Sequence, residues 1–284
     1  MVKACIVYFS QTGNTEQVAF AIMGRLLGEG AEALALPLSD IEDFPEALEG
    51  IDMLGIGYPT FYGYPPMMIM EFIDRFVYEG NNKSAFVFTT YGGTTSGDSL
   101  YDVAKALAAK GYRIVGGLKI EAQDSYPQSM DLKINQGRPD IADLDKAEEF
   151  AARMLQSHNE GRSLDPEKLA SGNEFFIEHR NQGRSRTLEE LRKGTEGRVI
   201  FNRDLCIFCE ACKKSCPTKS ITSGEKFPEF SWKCIDGMKC FQCVRVCPGK
   251  ALRVEYPSSL DEYRKFLEMT ADSPEEKSRA YMVA

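Results

Sequence analysis

Eight of the nine cysteines of this chain fall in two runs near its C-terminal end. The first is Cys206-x2-Cys209-x2-Cys212-x3-Cys216-Pro217, and the second is Cys234-x5-Cys240-x2-Cys243-x3-Cys247-Pro248. Two-residue gaps let three thiolates from one tight turn wrap an iron–sulfur cube, while the fourth cysteine, ahead of proline, reaches the other cube. The spacing therefore predicts one [4Fe–4S] site from Cys206, Cys209, Cys212 and Cys247. It predicts a second from Cys234, Cys240, Cys243 and Cys216. The segment is too short to bury a comfortable core, so its clusters must serve as one.

Other uses of these cysteines fit poorly. Zinc sites take two CxxC pairs, without a trailing Cys-Pro. A thioredoxin-like CxxC needs no eight thiols. The start of the chain, residues 1–10, reads as a strand and lacks the basic, apolar and small-residue order of a signal peptide. A cytoplasmic location, with thiols reduced and disulfides disfavoured, is the expectation.

The second run departs from the first by three extra residues before Cys240. Three readings stand open: Cys234 ligates from a looped-out excursion, the cluster has three irons, or Asp236 ligates. Gly237 permits the tight excursion that the first reading needs. The longer loop should alter hydrogen bonding to the sulfurs and hence the cluster's potential. Trp232, two residues before Cys234, is read as an aromatic packing the cluster shell.

Residues 1–160 alternate strand-like and helix-like segments. Residues 4–9 (ACIVYF) form a continuous apolar run, as a strand buried on both faces should. Further strands are predicted near residues 31–36, 51–58, 84–90 and 112–122. Helices are predicted over residues 15–27, 66–78, 99–110 and 140–157. Five strands alternating with helices imply a doubly wound parallel sheet, whose ligands bind at the carboxyl ends of the strands.

Three loops at that end carry the candidate residues. Ser10, Gln11, Thr12, Gly13, Asn14 and Thr15 sit between a strand and a helix. Their hydroxyls, Gly13 and the helix's backbone N–H groups make a cradle for a terminal phosphate. No lysine follows in a GxxxxGK[ST] pattern, which argues against nucleoside triphosphate hydrolysis. The GxGxxG dinucleotide fingerprint is missing as well. A plain helix cap by Asn14 or Ser10 is the simpler use of this loop taken alone. It is joined, however, by Pro59, Thr60, Phe61, Tyr62 and Gly63 after the third strand, and by Thr90, Tyr91, Gly92 and Gly93 after the fourth. Aromatic residues can sandwich a planar ring, and glycines let backbone N–H groups approach it. A phosphate cradle with two aromatic–glycine loops describes a site for FMN.

On these residues the chain resembles known families. Residues 1–160 resemble a flavodoxin, through Tyr8-Phe9-Ser10-Gln11-Thr12-Gly13-Asn14-Thr15-Glu16. Residues 196–256 resemble a bacterial two-[4Fe–4S] ferredoxin, with Cys216-Pro-Thr-Lys-Ser-Ile221 echoed by Cys247-Pro-Gly-Lys-Ala-Leu252. The whole is similar to flavodoxin–ferredoxin fusion proteins of anaerobes, the family labelled EFR-type. The resemblance implies a flavodoxin-like α/β fold with a five-stranded parallel sheet, followed by a small α+β ferredoxin-like domain. It implies FMN and two [4Fe–4S] clusters. It puts the FMN phosphate at residues 10–15, with Phe61 or Tyr62 on one face of the ring and Tyr91 on the other. The first ring loop lacks the tryptophan common in flavodoxins. The loop at Tyr91 lacks acidic residues until Asp98, which predicts a less negative flavin potential. Residues 161–195, polar and punctuated by Gly161, Gly172, Gly183 and Gly194, read as a linker or an arm. Residues 257–284 read as a tail of one or two short exposed helices.

Charge adds to this organisation. The chain carries a net charge of −8, which argues against general nucleic-acid binding. No apolar run approaches a membrane span. Residues 1–160 hold 12 Lys and Arg against 23 Asp and Glu, and residues 196–256 hold 11 against 7. Each oxidised cluster with its thiolates adds about −2, so the loaded second half is close to neutral. Lys213, Lys214, Lys239 and Lys250 either offset cluster charge and dock an acidic surface, or simply face solvent. The expected function is electron transfer between the clusters and FMN, to or from redox partner proteins, with homo-oligomerisation left open. That reading predicts a shallow flavin edge. The alternative, an FMN-dependent reductase of a small molecule fed through the iron–sulfur half, needs a pocket and a proton donor. Tyr62, Tyr91, Tyr126 and His179 are the candidates, each with a solvated or core role as the simpler use, and the loop at residues 124–139 with Phe175 and Phe176 could build the pocket. The sequence singles out no catalytic residue.

Overall fold

The computed structural model describes residues 1–41, 45–81, 83–182, 198–231, 234, 240–256, 258–278 and 280–284. Trp232, Asp236, Gly237, Lys239, Gly183 and Gly194 lie outside the described residues.

Five parallel strands form the body of the molecule: β1 (Lys3–Tyr8), β2 (Glu32–Pro37), β3 (Met53–Pro59), β4 (Ser84–Tyr91) and β5 (Arg113–Glu121). They lie in the order β5-β4-β3-β1-β2. This is the expected flavodoxin-like doubly wound sheet, with its switch point between β1 and β3. Alternate residues of β1 face opposite layers, as the pleat requires. Cys5 and Val7 pack with Ile69 and Phe72 of α2 (Met67–Phe76) and Val103 and Leu107 of α3 (Ser99–Ala109). Ile6 and Tyr8 pack on the other side with Val18 and Ile22 of α1 (Asn14–Gly28) and Phe150 and Met154 of α5 (Ile141–Asn159). Gly55 and Gly57 in β3 leave the space that the rings of Phe86 and Phe88 fill. A side chain at either glycine would overlap those rings, so the strand keeps glycine in spite of its entropy cost.

The described part of the arm, residues 161–182, packs on the sheet domain. Leu164 and Leu169 join the core on the α2–α3 side. Helix α6 (Glu174–Asn181) buries Phe176 and His179, and Arg180 pairs with the fully buried Asp98.

The tail differs from the exposed helices read in the sequence. Its last strand, β10 (Tyr281–Val283), pairs antiparallel with residues 116–118 of β5 and makes a sixth strand. That covers an open sheet edge, which would otherwise offer unpaired backbone groups. The tail helix Leu260–Thr270 starts with a capping box at Ser259 and Glu262 and buries Leu267 and Thr270. Asp272, which follows it, meets Lys119 at 2.7 Å with only 1% of its side chain exposed. The sequence pattern of a three-residue strand is too short to carry a period, and its partner lies more than 160 residues away.

The iron–sulfur half is a small α+β unit. Strand β6 (Arg198–Phe201) pairs with β9 (Leu252–Glu255), and β7 (Ile221–Ser223) with β8 (Pro228–Phe230). Two short helices, Ala211–Lys214 and Gln242–Arg245, begin just after Cys209 and Cys240. No helix among the described residues is long and apolar enough to cross a membrane.

Candidate cofactor sites

The first loop gathers the phosphate candidates at the start of α1. Gly13 takes φ +87°, a left-handed turn that glycine makes without strain, and its N–H donates to Ser10 Oγ at 3.1 Å. Glycine at the N-cap has no side chain to satisfy the helix's first N–H groups, which leaves them for an anion. Asn14 does not cap the helix; its side-chain amide donates to the Gln123 carbonyl at 3.0 Å. Thr15 and Thr90 join the first and third loops through buried hydroxyls 2.8 Å apart. Gln11, Thr12, Asn14 and Thr15 line one cavity with Pro59, Thr60, Phe61, Thr90, Tyr91 and Gly92. Gln11 Oε1 is buried with no partner among the described residues. An orphaned acceptor in such a place fits a ligand that brings hydroxyl or N–H donors.

The ring loops adjoin this cradle. The N–H of Thr60 donates to the Thr90 carbonyl at 2.7 Å, tying the second loop to the third. Phe61 and Tyr64 exchange two backbone bonds across a tight turn whose central residues, Tyr62 and Gly63, have φ of +53° and +86°. Both central residues in the left-handed region make a two-residue turn. Tyr62, Gly63, Tyr91, Gly92 and Gly93 line a second cavity of about 440 Å³, with Asp124, Ser125 and Tyr126 of the loop after β5. Phe61 also borders it while packing against the core. A side chain on Gly92 would overlap Asp124, so that glycine lets the two loops meet.

Three segments beyond these loops close the second cavity. Phe175 and Phe176 come from the arm, and Cys240 and Phe241 from the second cysteine run. Glu262, Tyr263, Phe266, Leu267 and Thr270 come from the tail helix. Tyr126 is the hub, with its ring centroid 5.2 Å from Phe241, 5.1 Å from Tyr263 and 5.6 Å from Tyr256. Burial pushes the phenols of Tyr126, Tyr263 and Tyr91 well up, so they stand as neutral O–H groups. Burial also raises the Asp124 carboxyl, against the N–H of Tyr126 that donates to it at 2.9 Å. Of the sequence's proton-donor candidates, Tyr62, Tyr91 and Tyr126 are on this wall. His179 is not; its Nδ1 meets the Tyr64 hydroxyl at 2.9 Å, and its ring stacks near Phe175.

The cysteines gather in two sets. Cys206, Cys209, Cys212 and Cys247 line a common cavity of about 200 Å³ with Ile207, Phe208 and Gly249. Burial raises the Cys212 thiol, and nearby Cys247 and Cys209 add to the rise. In the other set burial pushes Cys240 up to about 11 and Cys243 up to about 12. Cys234 and Cys216 raise both thiols further through their charge. Four thiolates so placed repel one another and need a cationic core to stay deprotonated, as iron supplies. Among the described residues, no three His, Cys, Asp or Glu side chains converge on a single metal ion. A four-iron cube spreads its thiolates wider than one ion does.

The two runs repeat their backbone. Glu210 and Phe241 precede the short helices with φ of +56° and +54°. Lys219 and Lys250, each three residues past the Cys-Pro cysteine, have φ of +52° and +51°.

Comparison with known proteins gives these halves their families. Residues 6–133 match the flavodoxin family, and residues 198–248 match the 4Fe-4S dicluster domain family. The chain is a flavodoxin domain joined to a 4Fe-4S dicluster ferredoxin domain. The flavodoxin domain implies FMN and the dicluster domain implies iron–sulfur clusters, so this is an electron-transfer redox protein. An uncharacterized protein of Methanocaldococcus jannaschii is 28% identical over 159 residues, 55% of this chain and 99% of that one. A ferredoxin of Pyrobaculum islandicum is 40% identical over 57 residues, 19% of this chain and half of that protein. Among solved structures, a flavodoxin from the domain Archaea aligns with a TM-score of 0.46 and 20% identity, over 56% of this chain and 99% of that one.

The flavodoxin loops and the ferredoxin cysteines thus meet at one cavity, through Cys240 and Phe241. Lys213, read from sequence as a cluster-charge offset and docking residue or as a solvated one, reaches Ser223 Oγ at 2.6 Å, lies 3.6 Å from Glu210 and lines the cavity of the first cysteine set. Sequence reasoning missed Phe241 and the tail residues Tyr263, Phe266, Leu267 and Thr270. The tail's spacing, at i, i+3, i+4 and i+7, was the signal of a helix with one apolar face.

Proposed function

We propose that this protein transfers electrons between two [4Fe–4S] clusters and FMN, and carries them to or from protein partners in anaerobic metabolism. In this reading it belongs with the EFR-type fusion proteins and works in the cytoplasm, where its thiols stay reduced. FMN exchanges one or two electrons and each cluster one, so together they join one-electron carriers to two-electron chemistry. The chain's residues hold these groups close. Residues 10–15 would hold the FMN phosphate, residues 59–63 and 90–93 the ring. Cys206, Cys209, Cys212 and Cys247 would hold one cluster. Cys216, Cys234, Cys240 and Cys243 would hold the other, with Cys234 as a full ligand. The observation that carries the reading is Cys240 and Phe241 lining the same cavity as Tyr62 and Tyr91.

The lining of that cavity favours a second reading. A roof of Tyr263, Phe266 and Leu267 over the ring loops is more than a shallow flavin edge needs. It suits an FMN-dependent reductase of a small molecule, with the ferredoxin domain as its electron inlet. An anaerobic redox titration of the full chain, followed by visible and EPR spectroscopy, tests the proposal. It should show one flavin and two four-iron centres. A three-iron signal would remove Cys234 as a ligand, and a missing flavin would end both readings.

A further inference from the structure

The two kinds of cofactor site share a side chain. Gln11 stands in the phosphate loop, and its amide nitrogen donates in two directions: to Ser125 Oγ at 2.7 Å and to the Cys240 carbonyl at 3.2 Å. The donor side of this amide is therefore spent on joining the loop after β5 to the second cysteine run. Its Oε1 is buried and has no partner among the described residues, and Gln11 lines a cavity with Thr12, Asn14 and Thr15. A buried acceptor without a donor is costly, and the hydroxyls and N–H of FMN can relieve that cost. The next residue along, Phe241, adds a second bond between the halves. It is 3% exposed, borders the ring cavity and meets Tyr126 edge-on at 5.2 Å. The first cysteine run has nothing comparable, since Glu210 at the equivalent place is exposed and turned to Lys213 and Ser223.

We propose that Gln11 and Phe241 couple the two cofactor sites, so that FMN binding and retention of the cluster held by Cys216, Cys234, Cys240 and Cys243 strengthen each other. The proposal rests on the cofactor assignment made above. A ligand that satisfies Gln11 Oε1 fixes the amide, and the fixed amide holds the Cys240 carbonyl in place. Coupling of this kind is reciprocal, so an assembled cluster must tighten FMN by the factor by which FMN tightens the cluster. The cluster of Cys206, Cys209, Cys212 and Cys247 lies outside the coupling. Gln11 acts here as a positioning residue: it touches a ligand's backbone, not the iron.

The test uses the anaerobic full chain with both clusters, stripped of FMN and then resupplied to saturation, checked by flavin absorbance. An iron chelator is added, and iron release and the EPR signals of the reduced clusters are followed in time. A Cys209→Ser variant identifies which signal belongs to the first cluster. FMN should slow loss of the second cluster by about 10-fold, the scale of hydrogen bonds that orient metal ligands, and leave the first unchanged. Gln11→Leu, at saturating FMN, should abolish the protection. Gln11→Glu keeps an acceptor but loses the donors, so it should retain FMN and still lose the protection. Equal release with and without FMN, protection of the first cluster, or protection that survives in both variants would overturn the proposal alone. Failure of FMN to bind or of two clusters to assemble would overturn the cofactor assignment, and the coupling with it.

Discussion

Glu210 and Phe241 occupy equivalent places in the two cysteine runs, each in the left-handed region ahead of a four-residue helix. Their surroundings are opposite. Around Glu210, Cys209 is exposed, and Leu205, Ile207 and Phe208 show 49%, 62% and 58% of their surface. Around Phe241, Cys240 packs against the flavodoxin core and Tyr126 closes over the ring. One repeated backbone therefore serves two settings, and a change of side chain at one position decides which. The repeat supplies the geometry that wraps a cluster. The side chains around it decide whether that cluster faces water or another cofactor.

Removing iron should strain the comparison most. The ferredoxin domain has little apolar core beyond its clusters, so chelation should unfold it while the flavodoxin sheet stays folded. Hydrogen exchange should show β6 and β9 losing their protection while β1, β3 and β4 keep theirs. Loss of protection across all of them would mean that the sheet depends on the clusters.

Exchanging the two side chains is the next largest change. Phe241→Glu buries a carboxylate among aromatic rings and should weaken FMN binding by about 100-fold, roughly 3 kcal/mol. Glu210→Phe should leave FMN affinity within about twofold, because its surroundings are solvent. Titration of FMN fluorescence measures both, and equal effects would end the distinction between the runs.

The tail offers a smaller effect. Leu267 is 6% exposed and forms part of the roof of the ring cavity. Leu267→Ala should cost about 2–3 kcal/mol of stability and show as a lower Tm, with weaker FMN binding. Smallest of all is Ile207→Ser on the exposed first run. It should change stability by no more than about 0.5 kcal/mol in the same melting experiment.

Much of this comparison was legible in the sequence, for reasons that differ by residue. The parallel sheet followed from buried apolar runs such as residues 4–9, because a strand covered on both faces has no polar side to show. The cysteine sets followed from spacing, because a cube restricts how far apart its ligands lie along the chain. Phe241 had no signal in the sequence, because the cysteine spacing is indifferent to the side chain between Cys240 and Cys243 and only packing against the flavodoxin loops buries it. Tyr263, Phe266 and Leu267 carried a readable helical face, but no local rule says which surface such a face covers. Strand β10 was beyond reach because pairing across such a separation leaves no trace in three residues. His179, weighed as a proton donor against a solvated or core role, takes the core role through a buried bond to Tyr64.

The central claim is that the second cysteine run stands beside the flavin loops within one chain. Anaerobic stopped-flow mixing with a one-electron reductant, read at the flavin and cluster absorbance bands over a range of protein concentrations, tests it directly. The account predicts that flavin and cluster signals equilibrate at a rate independent of protein concentration. A rate that rises in proportion to concentration, or no exchange between the two bands, would contradict it.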